Sequence, residues 1–265
     1  MKAIILAAGM GRRISEASAG TPKPLLPIAD DGLTFLDWHL RALSASGVRE
    51  IYLVGSKATF GTKVAAMEAI RATTSCTWIM NDFPGDQSGS GHSTHLAFTS
   101  EHGILDGKSR VVLMDADVVY DPRLFAELFA QKSPRSKSLV CGKYRDTHEE
   151  VMVFADGRGT PRVHGKGLLH TPLVREMQCL GEASGILVLE PADHALWLAA
   201  SSWCMQFSTA KTRSEHEDIT QRVMMVGALE AVVFEDDRRF MECDTPEEYR
   251  LVRGEMVPRW RPSLP

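Results

Sequence analysis

Residues 4–28 read IILAAGMGRRISEASAGTPKPLLPI, and this stretch constrains the fold more than any other. A β-branched apolar run, Ile4-Ile5-Leu6, stops abruptly at Ala7-Ala8-Gly9. Gly11, Arg12 and Arg13 follow, and Lys23 stands between Pro22 and Pro24. The run reads as a buried strand that ends in a turn of small residues. Small residues let the backbone approach an anion, and N–H groups at such a turn can form a concave anion nest. Arg13 and Lys23 add fixed positive charge, which suits a polyphosphate. The plain alternative is a strand followed by an ordinary loop; the arginine and the proline-flanked lysine weigh against it.

Beyond that turn, strand-like and helix-like periods alternate. Strands are expected at 2–6, 50–54, 76–80 and 110–114, and helices at 34–46, 62–71, 92–100 and 122–131. Gly47 stops the first helix, and Asp121 caps the last with Pro122 at its first position. Such alternation implies βαβ units and a mostly parallel sheet. The second half changes character. Shorter strands are expected at 138–143, 150–155, 161–165 and 184–189, with turns such as Asp156-Gly157 between them. Helices at 192–203 and 215–227 and a strand at 231–235 follow. A last helix begins at Thr245-Pro246, with Glu248 in capping-box position. Residues 258–265, PRWRPSLP, read as an irregular arm. The expected class is α/β: a Rossmann-like three-layer α/β/α fold with a mostly parallel, mixed central sheet and a β-rich insertion.

The chain has 265 residues, enough for a sizeable core in one large domain or two small ones. A net charge of −4 offers no bulk attraction to nucleic acid or membranes, so any phosphate site must be locally basic. No signal peptide is visible, and no apolar run approaches the roughly 18–20 residues of a membrane span. The expectation is a cytoplasmic protein with neither a nucleic-acid nor a membrane partner. Cys76, Cys141, Cys179, Cys204 and Cys243 are widely spaced, without a CxxC pair, and are expected to be reduced thiols.

The fourth expected strand runs into Asp115-Ala116-Asp117. In an open α/β sheet, ligands sit beyond the C-terminal ends of strands. Residues two apart share a face if the strand continues. Such a pair suits Mg²⁺ beside phosphates; equally, one acid caps a turn and the other is solvated. A second pair, Glu242-Cys243-Asp244, lies just ahead of Thr245.

Taken together, Leu6-Ala7-Ala8-Gly9, Gly11, Arg13 and Pro22-Lys23-Pro24-Leu25 resemble the signature of the nucleotidyltransferases that activate sugar phosphates and related small phosphates. The stretch differs from a Walker A loop, which needs Gly-Lys-Ser/Thr. It also differs from the dinucleotide fingerprint, whose third glycine is replaced by Ile14. The resemblance covers about residues 1–255. It implies nucleotide contacts from Leu6, Ala7, Ala8, Gly9, Gly11, Arg12, Arg13, Lys23 and Asp115, with Arg13, Lys23 and Asp117 as catalytic groups. Members carry a metal-binding Asp after the central strand and an acid pair near the end of the core. Asp117 and Asp244 match those places, with Glu242 beside the second, as a Mg²⁺ site.

Residues 81–95, NDFPGDQSGSGHSTH, lack the Gly-Leu-Ala run of the sugar-activating members. Asn81 followed by Ser88-Gly89-Ser90 and a helix is closer to the phosphocholine and phosphonate cytidylyltransferases. The implied donor is therefore CTP, with these residues reading the pyrimidine edge. GEASGILVLEP resembles the acceptor-binding strand of the superfamily and implies Glu182, Ser184 and Gly185 as acceptor contacts. Lys143, Arg145 and Lys166, with His164 and His170 in the same region, suit a small phosphate or phosphonate. A quaternary ammonium would call for an aromatic cage. Trp197, Trp203, Phe207 and the acids around His216 could supply one, although helical core packing suits the aromatics better.

The resemblance thus implies one nucleotidyltransferase domain over 1–257. Its nucleotide-binding part is about 1–135, its acceptor lobe about 136–230, and its C-terminal metal-site strand and helix about 231–257, with 258–265 a tail. A homodimer is an admissible assembly. The implied reaction is Mg²⁺-dependent transfer of CMP from CTP to a small phosphonate or phosphate monoester, with release of pyrophosphate. A sugar-1-phosphate nucleotidyltransferase using UTP or dTTP is the alternative within the class. A non-catalytic nucleotide-binding module is the alternative outside it, and the joint presence of Arg13, Lys23, Asp117 and Asp244 argues against it.

Overall fold

The computed structural model describes residues 1–9, 11, 14, 21–56, 75–83, 87–144, 150–235 and 239–264. Arg12, Arg13, Arg145 and the helix expected over 62–71 lie outside the described residues. The strands are β1 (Lys2–Leu6), β2 (Glu50–Gly55), β3 (Ser75–Met80), β4 (Val111–Asp115), β5 (Val118–Tyr120), β6 (Ser136–Cys141), β7 (Val151–Ala155), β8 (Pro161–Lys166), β9 (Gln178–Leu189), β10 (Leu229–Phe234) and β11 (Phe240–Glu242). The α-helices are α1 (Phe35–Ala45), α2 (Ser90–Thr99), α3 (Arg123–Ala130), α4 (His194–Phe207), α5 (His216–Met225), α6 (Pro246–Leu251) and α7 (Val257–Trp260).

The main sheet runs β10-β6-β9-β4-β1-β2-β3. Strands β1 to β4 are mutually parallel, as the early alternation implies, and β10 is parallel to β6. Strand β9 runs antiparallel between β4 and β6. Alternate side chains of β1 serve opposite faces. Ala3 and Ile5 join a core with Trp38 of α1, Phe125 of α3 and Trp260 of α7. Ile4 and Leu6 join one with Phe98 of α2, Trp197 of α4 and Ile219 of α5. The result is a three-layer α/β/α fold with a mixed, mostly parallel sheet. None of its helices is long and apolar enough to cross a membrane, among the described residues.

The structure adjusts several expectations. Strand β9 begins at Gln178, six residues before the expected 184, because its first half is carried by pairing with β7, joined by β6 at Glu182 and Ala183. Helix α3 starts at Arg123, with Pro122 at its N-cap; the Asp121 carboxylate accepts from the Arg123 N–H at 3.0 Å and so still serves the helix start. The capping box at Thr245 and Glu248 is present. The tail is not an irregular arm. Residues 252–256 form a π-turn leading into α7, and Trp260 is only 1% exposed against the core. Burying a large aromatic side chain favours order by about 2 kcal/mol. None of the five cysteines is in a disulfide.

Candidate active site

Strands β1 and β4 end side by side, with Leu6 opposite Asp115. Beyond them the chain leaves the sheet, and the short β5–β11 ribbon pairs Val118 with Glu242. The Cys243 N–H donates to the Asp117 carbonyl at 3.0 Å. This pairing brings the two acid pairs together across the sequence. Side-chain oxygens of Asp117, Glu242 and Asp244 lie within 4.8 Å of one another. Lys23 enters from a 3-10 turn, Lys23–Leu25, and its Nζ donates to Asp117 Oδ2 at 2.8 Å and to Asp244 Oδ1 at 2.7 Å. It is 6% exposed. Leu6, Ala7, Gly9, Gly11 and Lys23 line one recess of about 220 Å³ with Asp117 and Asp244. Ala8, Gly9, Asp115 and Asp117 line the adjoining cleft of about 520 Å³. Arg12 and Arg13 lie outside the described residues.

The charges are strongly coupled. Burial works to lower the Lys23 pKa, but Asp117 and Asp244 outweigh it and hold the ammonium above the ordinary lysine value. The Glu242 carboxyl lines the adjoining cleft although the residue as a whole is exposed; burial of the carboxyl, then repulsion from Asp117 and Asp244, raises its pKa. Burial and nearby acids also raise Asp115, against the pull of His216. Three carboxylates are hard oxygen donors of the kind Mg²⁺ takes beside phosphates, so this set fits such an ion. Beneath it, His39 is fully buried. Its Nε2 lies 3.1 Å from the Ala116 carbonyl and its Nδ1 3.1 Å from Tyr120 Oη. Burial lowers its pKa to about 4, so the neutral ring donates to Ala116 and accepts from Tyr120. It thereby braces the peptide between Asp115 and Asp117.

On the side expected to read the base, the polar side chains are already committed. Asn81 is buried; its Nδ2 donates to Ser88 Oγ at 2.9 Å and Ser93 Oγ at 3.0 Å, and its Oδ1 accepts from the Phe83 N–H. Ser88 Oγ is also paired with His92 Nδ1 at 3.1 Å. Ser90 Oγ donates to Glu215 Oε2 at 2.6 Å and accepts from the His216 N–H at 2.8 Å. A Cβ on Gly89 would lie 2.4 Å from the Ser214 carbonyl oxygen, so glycine is what lets this loop lie against residues 212–216. Asn81 and Ser90 therefore shape the wall, while Phe83, 45% exposed and edge-on to His92, offers an aromatic face to the cleft. Phe83 carries no distinguishing pattern in the sequence.

The expected acceptor residues divide. Glu182, Ser184, Gly185 and Lys166 line a small recess opening off the cleft. Ser184 Oγ donates to the Leu139 carbonyl. Gly185 has φ +70°, and a Cβ there would meet Asp115 Oδ2 at 2.5 Å. Lys143 is exposed and does not line the cleft. His170 is likewise exposed outside it, whereas His164 is buried on its wall. Trp197 is in the core; Trp203, under the Arg222 guanidinium, and Phe207 lie on the outer surface, so no cage forms from them. Glu215, Glu217 and Asp218 do reach the cleft, around a buried His216 whose Nδ1 lies 3.1 Å from Glu217 Oε2. The lining on the side expected to take the acceptor is thus more acidic than the run of basic residues in the sequence implies.

Residues 3–200 match the MobA-like NTP transferase domain, and the chain belongs to that family. It is 30% identical over 165 residues to a CMP-5'-(3-aminopropyl)phosphonate synthase of Streptomyces rubellomurinus, a match covering 60% of this chain and 23% of that protein. It is 47% identical over 53 residues to an N-acetylmuramate alpha-1-phosphate uridylyltransferase of Neisseria meningitidis serogroup B, covering 20% of this chain and 22% of that one. The chain matches less than a quarter of the length of either curated relative. Among solved structures, the fold is shared with a putative glucose-1-phosphate thymidylyltransferase from Bacillus anthracis (TM-score 0.73, 18% identity, 97% of this chain and 95% of that one). It is also shared with the inositol-1-phosphate CTP transferase from T. maritima (TM-score 0.70, 18% identity, 95% of this chain and 94% of that one).

Proposed function

We propose that this cleft transfers CMP from CTP to a small phosphonate or phosphate monoester with release of pyrophosphate. The carrying observation is the meeting of Lys23, Asp117 and Asp244 at the mouth of the glycine turn, at 2.8 and 2.7 Å. In this reading an acceptor oxygen, already anionic, attacks the α-phosphorus; the bond to the bridging oxygen breaks, and that oxygen leaves on pyrophosphate. Little proton transfer is needed, so catalysis is positioning and charge neutralisation. The loop amides after β1, with Arg13, hold the leaving β- and γ-phosphates, and Lys23 neutralises the reacting phosphates. Asp117, Glu242 and Asp244 hold Mg²⁺, which supplies positive charge to the α-phosphate when bound. Phe83 gives the base an aromatic face.

Preference for cytosine rests on the CMP-forming relative and on the likeness of the 81–95 sequence to the cytidylyltransferases, with Asn81 and Ser90 shaping the wall of the cleft rather than reaching the base. The acidic recess around Glu182 and Glu217 supports an acceptor that is anionic at one end and cationic at the other, such as an aminoalkylphosphonate. With no cage from Trp203 and Phe207, a primary ammonium suits it better than a quaternary one. A competition assay with Mg²⁺ tests this, setting CTP against UTP and 2-aminoethylphosphonate against phosphocholine, hydroxymethylphosphonate and a hexose 1-phosphate. The aminoalkylphosphonate with CTP should give the highest kcat/KM. A higher value for UTP, or for the sugar phosphate, would overturn the donor or the acceptor assignment respectively.

A further inference from the structure

The Lys23 ammonium occupies the lone pairs that a divalent cation needs. It donates a hydrogen bond to each of two residues read as metal ligands, at Asp117 Oδ2 and Asp244 Oδ1, and its side chain is almost wholly buried there. Magnesium sits about 2.1 Å from its carboxylate oxygens, closer than an ammonium can. Two cations cannot share one pair of oxygens at those distances without strong repulsion. We propose that Lys23 is the resident counter-ion of this acid cluster, and that a divalent cation binds only by displacing it into the recess lined by Gly9 and Gly11. This rests on the reading of Asp117, Glu242 and Asp244 as metal ligands.

The geometry supports such an exchange. Lys23 hangs on a four-carbon chain from a short 3-10 turn, and its tip can swing while the turn stays put. The recess around it, about 220 Å³, is bounded by Leu6, Ala7, Gly9 and Gly11, where phosphates are proposed to bind. The exchange links two events: the ion arrives at the acids, and the ammonium is delivered to the phosphates. It also makes the metal-free cluster tolerable, because neighbouring carboxylates without a cation repel one another. Metal affinity should therefore be weak without nucleotide and rise when triphosphate gives the displaced ammonium a new partner.

The test is Mn²⁺ binding to the full chain, followed by the electron-paramagnetic signal of the free ion, with and without CTP. Lys23→Met should bind Mn²⁺ at least tenfold more tightly than the native chain when CTP is absent. It should also show a smaller gain on adding CTP. Equal or weaker binding by Lys23→Met would overturn the exchange. If neither protein binds Mn²⁺ even with CTP, the metal assignment itself fails, which is a separate result. A second measurement needs no variant. Acetylation of Lys23 in the native chain, followed by mass spectrometry, should rise on adding Mn²⁺, relative to buried Lys137 paired with Glu190. Unchanged reactivity of Lys23 under saturating Mn²⁺ would contradict displacement.

Discussion

Two groups of carboxylates face one cleft, and each surrounds a basic side chain, but they are built differently. On the loop side, Asp117 and Asp244 meet on Lys23, whose ammonium sits at the end of a long tether. On the acceptor side, Asp115 and Glu217 flank His216, whose ring also contacts Ser90 and whose backbone begins α5. Both residues are fixed at the main chain, but the His216 ring joins it through one carbon, whereas the Lys23 ammonium reaches its acids through four. On the proposed reading, the first cluster trades its cation and the second keeps the shape of the pocket, so that the chemistry on phosphates falls to the tethered charge and selection of the acceptor to the fixed one.

The largest effect should come from the loop-side acids. Asp117→Asn or Asp244→Asn should lower kcat by at least about 10²-fold, on the order of 3 kcal/mol of transition-state stabilisation. Asp115→Asn, on the fixed side, should act mainly on the KM of the acceptor. Steady-state kinetics on the three variants checks this; a larger kcat loss at Asp115 than at Asp117 would reverse the division of labour.

His39 lies at the seam between the clusters and tests whether the brace is structural. Its folded pKa, about 4, is below its ordinary value of 6.5, so the unfolded chain binds the proton more readily. Its contribution is complete above pH 6.5 and is lost as pH falls from 6.5 towards 4, amounting to about 3 kcal/mol over that window. His216 carries the opposite sign. Its own burial lowers its pKa, but Asp115 and Glu217 outweigh this and raise it, so its contribution holds below the ordinary histidine value and fades as pH rises through the folded one. Denaturation from pH 4 to 7 should show a destabilised acid limb that His39→Gln flattens. An unchanged limb in that variant would remove His39 as its cause.

A smaller effect is expected at Gly185. Alanine there must adopt φ +70° and push Asp115 aside, at a cost of about 1–3 kcal/mol in stability. The Lys23 pair should survive, so KM for the acceptor should rise more than kcat falls. Denaturant midpoints and kinetics on Gly185→Ala read both. A selective loss of kcat would mean that the two clusters are not separable.

The loop-side cluster was the more legible in sequence because its parts are local signals. An apolar run broken by Ala7-Ala8-Gly9, an acid pair at a strand end and a capping box at Thr245 each declare themselves within a few residues. The β5–β11 pairing that joins Asp117 to Asp244 is long-range, and there the family resemblance, not the residue pattern, supplied the link. The acceptor side was read less well for the same reason. Lys143 lies two residues beyond Cys141, which pairs with Glu182, yet it is exposed and does not line the cleft. Asn81 looks like a base reader until its amide is seen to be spent on Ser88 and Ser93. The first half of β9 contains Gly181 and Glu182 and lacks an apolar period, so its pairing with β7 left no trace in the pattern. Trp260 looks like part of a polar tail, and only the pocket that receives it makes it core.

The central claim is that one cleft joins CTP to a small phosphonate. Phosphorus NMR of the full chain incubated with CTP, Mg²⁺ and 2-aminoethylphosphonate tests it most directly. The account predicts a new phosphonate–phosphate anhydride signal and pyrophosphate in equal amounts, both absent when the metal is chelated. Conversion of CTP to orthophosphate or CMP alone, or no conversion with any small phosphonate or phosphate monoester, would contradict it.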